Sequence, residues 1–383
     1  MRQIAERLAA DGVDVTVATS PHPERKLSVV RNGVRVISFA VSGNWVRGMK
    51  GPIEEYQSFI RLGDFDAVLI KAAQQWTFDA AIEVMPELRG RKLFIPCGFS
   101  GLHDPSYAKY FKQMPQWLRL FDDLIFYADD YRDIDFAREH GLSDLHLIPN
   151  GVDEREFVDA NDHSIRQRLG IDSHHALILS VGSRMASKGH WELIRAFGKA
   201  RLQRPATLVI NANTPNSGWA AHLRRHLKHA LTGRWPLSWL ARWYGRTATQ
   251  KRVLIIDLPR QDLVNLYKAA DLFVLASHVE YSPLVLFEAA AAGTAFLASP
   301  AGNSEEIARW TGGGTVMKCH KTTSAEVSVR ELLANLELML ADEARLKAMG
   351  QVSRASIWAE GFTWRQIVKR YRRLMLGGDS QLP

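Results

Sequence analysis

Two hydrophobic periods take turns along most of this chain. Short runs rich in Val, Ile and Leu stand between stretches whose apolar residues recur at helical spacing, so the sequence reads as repeated strand and helix units. Arg2 to Ala10 opens as a helix, turns at Gly12 and enters a strand from Val13 to Thr19. Further strands are predicted at Val34 to Ala40, Ala67 to Lys71, Leu93 to Ile95, Leu124 to Tyr127 and His146 to Ile148. Helices fall at Pro52 to Arg61, Thr77 to Met85, Pro105 to Leu118 and Tyr131 to Glu139. The series then restarts with strands at Leu177 to Val181, Leu208 to Asn211, Val253 to Ile256, Leu272 to Leu275 and Ala295 to Ala298. Helix Lys188 to Ala200 follows the first of these, and helices Ala325 to Leu340 and Trp364 to Met375 form a tail. Alternation on this scale implies α/β domains built on mostly parallel sheets. Pro149-Asn150-Gly151-Val152-Asp153 is turn chemistry without a periodic continuation, which places a boundary there. The expected domains are 1–150 and 151–360, with 361–383 as a final helix. A doubly wound domain ordinarily begins with a strand and a phosphate-facing turn. Since Arg2 to Ala10 comes first, that opening strand is expected to be missing, through truncation or a misplaced start codon.

One stretch organises the second series. The run Asp271 to Ser277 leads into His278 to Gly293, HVEYSPLVLFEAAAAG, with an acid at Glu280 and another at Glu288. Ser282 fits an N-cap and Pro283 the first helical position, so the helix is predicted to start there. The N–H groups of Ser282 to Leu284 then face the mouth of the preceding strand, a ready phosphate site. Glu280 precedes the helix and Glu288 lies about a turn and a half into it, so they reach different parts of one ligand. A buried helix with a solvated Glu is the simpler alternative. A membrane span over Tyr281 to Ala301 is excluded by Pro283, Gly293 and Pro300, which break the run into helix, turn and strand.

A second candidate is the strand-to-helix turn Val181 to Gly189, VGSRMASKG. Gly182 permits a tight turn, while Arg184 and Lys188 set two cations beside a helix N-terminus, which suits a diphosphate. The turn is neither a P-loop nor a GxGxxG fingerprint, so a Rossmann dehydrogenase loses its best support. By itself it reads equally as a solvated surface turn. The two DxD strings, Asp64-Phe65-Asp66 and Asp133-Ile134-Asp135, lead into a strand and sit within a helix; both read as ordinary surface.

Composition adds one further feature. At 383 residues, with 46% hydrophobic and 23% charged residues, the chain suits two globular domains. Between Thr214 and Ile256 stand eight basic residues and no acid, which accounts for the whole net charge of +8. Leu223, Leu227 and Leu231 recur at helical spacing there, as do Trp235, Trp239 and Trp243, with Arg234, Arg242 and Arg246 interleaved. An aromatic face with a cationic margin suits an anionic membrane surface, assigned to 219–252. A helical hairpin packed on its own domain is the alternative. Nucleic acid is not expected, since no binding module accompanies the patch. Cys97 and Cys319 make no disulfide framework or metal cluster, and no signal or transit pattern is present, so a cytoplasmic protein is expected, peripheral on the inner face of the plasma membrane if the patch binds it.

Taken together, the Arg184/Lys188 turn, the PNGVD linker, Glu280-x7-Glu288 and a closing Phe362-Thr363-Trp364 helix resemble the family 4 glycosyltransferases. These are retaining enzymes of the GT-B fold, with two Rossmann-like domains facing across a cleft. The resemblance covers nearly the whole chain. It implies a nucleotide-sugar donor, a glycan or glycolipid acceptor such as a polysaccharide precursor, and no metal or other cofactor. Glu280 would touch the donor sugar and Glu288 the ribose. Arg184, Lys188, Gly182 and the Ser282-Pro283-Leu284 amides would hold the diphosphate, and Leu258 to Arg260 would border the base. The 361–383 helix would cross back onto the first domain.

Three departures accompany the likeness: the absent first strand, an Arg184-to-Lys188 spacing one residue shorter than the common pattern, and Cys97 where many members carry a histidine. A thiol does not replace imidazole as a hydrogen-bond partner. Cys97, Gly98 and His103 are therefore acceptor-side candidates, His103 reading otherwise as a surface loop residue. A catalytically silent sugar-nucleotide-binding or scaffold protein, and a sugar-nucleotide epimerase of the same fold, are the alternative functions.

Overall fold

The computed structural model describes residues 1–158, 164–213, 237, 239, 242, 243, 250–318 and 327–377. It divides into two compact units, Met1–Asn150 with Trp364–Pro383, and Gly151–Thr363.

In the first unit β1 (Thr16–Thr19), β2 (Ser28–Arg31) and β3 (Val34–Ser38) form one sheet in the order β1-β3-β2, with β2 antiparallel. A hairpin of β4 (Ser42–Asn44) and β5 (Gly48–Lys50) follows. Then β6 (Ala67–Lys71), β7 (Arg91–Ile95), β8 (Asp123–Phe126) and β9 (Leu145–Leu147) pair in sequence as a parallel sheet. Every residue of β8 is buried, as a parallel strand covered on both faces requires. Helices Arg2–Ala10 and Trp364–Leu376 pack on each other, the latter also against β6 and β7.

The sequence expectations change here at one helix end and at three strands. The helix predicted to reach Met85 stops at Ala81, and Pro86 sits in a separate 3-10 turn, Met85–Glu87. The strands β2, β4 and β5 were not legible. The hairpin has no apolar alternation to announce it. It is held instead by buried polar groups distant in sequence: Asn44 Nδ2 donates to the Gln74 carbonyl at 3.2 Å, and Trp45 N donates to Asp79 Oδ2 at 2.8 Å. Tyr110 Oη donates to the other Asp79 oxygen at 2.6 Å. Burial raises the Asp79 pKa above the usual carboxylate value against the pull of those donors.

Among the described residues the second unit carries one six-stranded, all-parallel sheet. Its strands are β10 (Ala176–Val181), β11 (Ala206–Asn211), β12 (Lys251–Ile256), β13 (Leu272–Leu275), β14 (Phe296–Ala298) and β15 (Gly314–Val316), in the order β12-β11-β10-β13-β14-β15. Counted within the unit this is 3-2-1-4-5-6, the doubly wound order of dinucleotide-binding folds. The central strands β11 and β13 are buried throughout. Helices His190–Lys199, Arg260–Ala269, Leu284–Ala292, Ser304–Thr311, Val329–Leu340 and Glu343–Ala359 cover the faces. The predicted Ala325-to-Leu340 helix begins at Val329, where Ser328 caps it by accepting from Glu331 N. The 17-residue helix Glu343–Ala359 was not singled out in the sequence. Among the described residues no helix is long and apolar enough to cross a membrane.

Candidate functional site

Strand order reverses between β10 and β13, and in open α/β sheets ligands bind outside the carboxyl ends of the strands at such a point. The loops leaving these strands are 182–189 and 276–283, the two stretches read as candidates from sequence. They are tied together. His278 N donates to the Ser187 carbonyl at 2.8 Å. Gly189, at φ +64°, lies so close to the other loop that a Cβ there would stand 1.7 Å from the Ala276 carbonyl oxygen. A third loop, after β14, closes from the far side. Asn303 N donates to the Tyr281 carbonyl at 2.9 Å, and a Cβ at Gly302 would meet the same oxygen at 2.3 Å.

This packing brings Lys188 and Glu280 into contact, Nζ to Oε1 at 2.6 Å, with side chains 27% and 16% exposed. Arg184 lies on the same turn. Its Nε donates to the Ala212 carbonyl at 3.1 Å, and its Nη groups make no hydrogen bond among the described residues. Gly182 begins the turn.

The helix expected to begin at Pro283 begins at Leu284, and Pro283 rather than Ser282 is its N-cap, with ψ 108° and no side-chain cap. Ser282 is thus corrected from its predicted capping role. The clamp that Gly302 and Asn303 put on Tyr281 delays the helical turn by one residue. With no acid in the first turn and no capping side chain, the N-terminal amides of Leu284 and Val285 retain their positive end.

Glu288 has a different cation partner. Arg260 Nη2 lies 2.7 Å from Glu288 Oε1 and 2.6 Å from Glu156 Oε2. Burial opposes the charge on Arg260, yet Glu156 and Glu288 together hold its pKa above the ordinary arginine value. The buried phenol of Tyr267 is pushed well up by burial and then by the neighbouring Glu288 charge. Arg260 starts its helix after Pro259, and Leu258 N donates to the buried Asn211 amide oxygen at 2.8 Å, which fixes the preceding loop. A carboxylate offers about four acceptor directions, so Glu288 retains capacity beyond Arg260.

The remaining predicted residues lie in the first unit. Cys97 (φ +62°), Gly98 (φ +84°) and Phe99 (φ +43°) form a left-handed turn after β7. Burial pushes the Cys97 thiol up to about 11, although nearby Lys71 pulls the other way, so it is protonated at neutral pH. His103 is exposed in the following turn. Asp133, read as surface in the DIDF string, is fully buried: its Oδ2 accepts from Gly98 N at 2.7 Å. Correcting that reading, the carboxylate faces inward because the left-handed turn leaves an amide needing an acceptor. Asp64 and Asp66 are exposed.

Sequence reasoning passed over Gly302, Asn303, Asn211, Glu156 and His190. His190 was detectable, because it shares a helical face with Leu193, Ile194 and Phe197. The others act across loops separated in sequence. Of residues 214–252 only Leu237, Trp239, Arg242, Trp243 and 250–252 are described, Lys251 and Arg252 lying in β12. Trp239 and Trp243 are exposed and stack at 5.5 Å between centroids, and Leu237 packs on the sheet's core. Leu223, Leu227, Leu231, Trp235 and Cys319 lie outside the described residues.

Residues 247–349 match the family model described as Glycosyl transferases group 1. The D-inositol 3-phosphate glycosyltransferase of Segniliparus rotundus is 25% identical over 246 residues, 61% of this chain and 48% of that protein. The chain thus spans about half the length of the curated relatives it matches. Among solved structures, sucrose-phosphate synthase from Thermosynechococcus elongatus superposes with a TM-score of 0.73 at 18% identity, covering 98% of this chain and 93% of that one. Anabaena HepE, solved with UDP and glucose, gives 0.66 at 16%, covering 97% and 93%. These structural matches show the fold, GT-B, built from two Rossmann-like domains. The sequence matches support the broad glycosyltransferase family.

Proposed function

We propose that this chain is a retaining, family 4 glycosyltransferase that moves a sugar from a nucleoside-diphosphate donor to a glycolipid or polysaccharide-precursor acceptor. The second unit would hold the donor and the first the acceptor. The observation carrying this reading is the meeting of Lys188 and Glu280 at the switch point, beside Arg184 and an uncapped helix end. In glycosyl transfer the anomeric C–O bond breaks and its electron pair stays on the departing diphosphate. Cations and amide dipoles fixed in advance stabilise that charge, usually the largest catalytic contribution. Here Arg184, Lys188 and the Leu284 helix end would supply it without a metal ion. Glu280 would receive the sugar hydroxyls, and Glu288 the ribose.

The name of the inositol phosphate relative and the UDP and glucose bound in HepE favour a uridine donor and a polar acceptor. A thermal-shift panel of UDP-, GDP-, dTDP- and ADP-sugars tests this. A donor at a hundredfold its Kd stabilises the folded state by about 2.7 kcal/mol. For a unit of this size that raises Tm by about 5–10 °C. No shift with any donor at millimolar concentration would defeat the proposal. The raised thiol pKa of Cys97, where a histidine is usual, favours one second reading, a silent binding protein; it predicts the same shift with no release of nucleoside diphosphate.

We place the active protein at the cytoplasmic face of an anionic membrane, on the strength of the exposed Trp239–Trp243 stack in the basic segment. Sedimentation with vesicles containing about 30% anionic lipid should exceed that with neutral vesicles and fall at 0.5 M salt, each basic residue contributing on the order of 1 kcal/mol. Equal sedimentation with both vesicle types would refute this placement.

A further inference from the structure

His190 is the first residue of helix His190–Lys199 and is 3% exposed, yet neither ring nitrogen makes a hydrogen bond of full geometry, although the Gly182 and Ser183 backbone lies within reach of the ring. Buried polar groups in folded proteins almost always find partners, and one left without costs stability. The ring lies behind the first residues of the Arg184/Lys188 turn. A Cβ placed on Gly182 would stand 3.5 Å from His190 Nε2 and 3.4 Å from Cγ and Cδ of Lys188. The imidazole therefore borders the same small space as the lysine stem, beside Gly182.

We infer that His190 is a positioning residue for a diphosphate: the anion orders the Gly182–Ser183 turn, and the imidazole then brings to full geometry the hydrogen bonding to that backbone which the free turn leaves poorly formed. The inference rests on the donor site described above and adds to it a residue outside the arginine and lysine. Two features of the ring fit the task. Burial pushes its pKa down to about 4 against weak hydrogen bonding from the Gly182 and Ser183 backbone, and the cations Lys188 and Arg184 add to the lowering, so the ring is neutral at neutral pH. A neutral imidazole carries one donor and one acceptor, enough to fix a peptide without adding charge to the site. Gly189 places the ring: its left-handed conformation starts the helix, and its contact with Ala276 prevents the helix end from sliding. The binding energy of the anion would then serve partly to order the turn, so that the Ser183 amide and the Arg184 side chain face the leaving oxygen together.

Inorganic pyrophosphate is the probe, since it needs neither base nor sugar. In wild-type protein labelled with 15N-histidine, saturating pyrophosphate should shift the His190 ring resonances and slow exchange of its N–H; the signals are assigned by their loss in His190→Gln. His190→Phe, which keeps a flat ring of similar size, should weaken pyrophosphate binding about fivefold, the equivalent of one hydrogen bond. His190→Gln, which retains a donor, should stay within twofold of wild type. Ring signals unmoved at saturation, or a His190→Phe affinity within twofold of wild type, would overturn the inference while leaving the donor site standing. If the NMR titration shows no pyrophosphate binding to wild type at all, the donor reading falls and this inference with it. Besides the wild-type protein, the NMR arm needs only His190→Gln to fold, for assignment.

Discussion

Replacing Lys188 by alanine is expected to lower kcat/KM for sugar transfer by about 10²–10³-fold, the usual effect of removing one preorganised group aimed at developing charge. The protein should remain folded. Lys188 is partly exposed and its ion pair with Glu280 is of the kind that contributes less than about 1 kcal/mol to stability. The kinetic loss is larger for two reasons. Under the proposed function, the cation that would meet the departing diphosphate is gone, and the Glu280 carboxylate would face that anion without the 2.6 Å partner that offset it. Charge on the diphosphate grows as the glycosidic bond breaks, so kcat should fall more than KM rises. Lys188→Arg restores the charge but not the compact ammonium geometry, and should recover only part of the rate. Arg184→Ala should lose activity too, though it also releases the Ala212 carbonyl, so its stability must be measured alongside. A folded Lys188→Ala enzyme with kcat/KM within fivefold of wild type would remove this turn from the catalytic site.

How much of this was legible in the sequence depends on where each constraint originates. The strands Leu177 to Val181 and Leu272 to Leu275 were readable because both faces of a central parallel strand are covered, which leaves continuous apolar runs. The end of the Leu284–Ala292 helix was readable because Gly293 stops it in the left-handed conformation, φ +76°. Its start was misplaced by one residue, since the clamp on Tyr281 comes from Gly302 and Asn303, about twenty residues on. Asp133 was misread for the same kind of reason: its partner, the Gly98 amide, is 35 positions away and becomes needy only in a left-handed turn. The β4–β5 hairpin hangs on Asn44, Asp79 and Tyr110, a polar network that periodicity does not report. The site follows the same division. Residue types at Arg184, Lys188, Glu280 and Glu288 were visible, whereas their pairing is set by strand order, which places β13 beside β10 across a gap of about ninety residues.

The residue on which that pairing turns most sharply is Gly189, and Gly189→Ala should cost the second unit about 4 kcal/mol or prevent its folding. Conformation accounts for the smaller part. An alanine at φ +64° pays on the order of 1–2 kcal/mol for left-handed geometry. The larger part is collision: the new methyl would lie 1.7 Å from the Ala276 carbonyl oxygen and 2.7 Å from its carbon, both in a buried backbone at the end of β13. No rotamer relieves a Cβ clash, so the two loops must separate. Separation breaks the bond from His278 N to the Ser187 carbonyl and carries Lys188 away from Glu280. A control isolates the two contributions. Gly141→Ala, at φ +62° with nothing within 4 Å of the added Cβ, incurs the conformational cost alone. Urea denaturation of both variants is the measurement, with the change in midpoint at constant slope read as stability. Gly189→Ala should shift the midpoint at least twice as far as Gly141→Ala. Equal shifts would mean that the β10 and β13 loops do not meet at this glycine, and the geometry that joins Lys188 to Glu280 would lose its support.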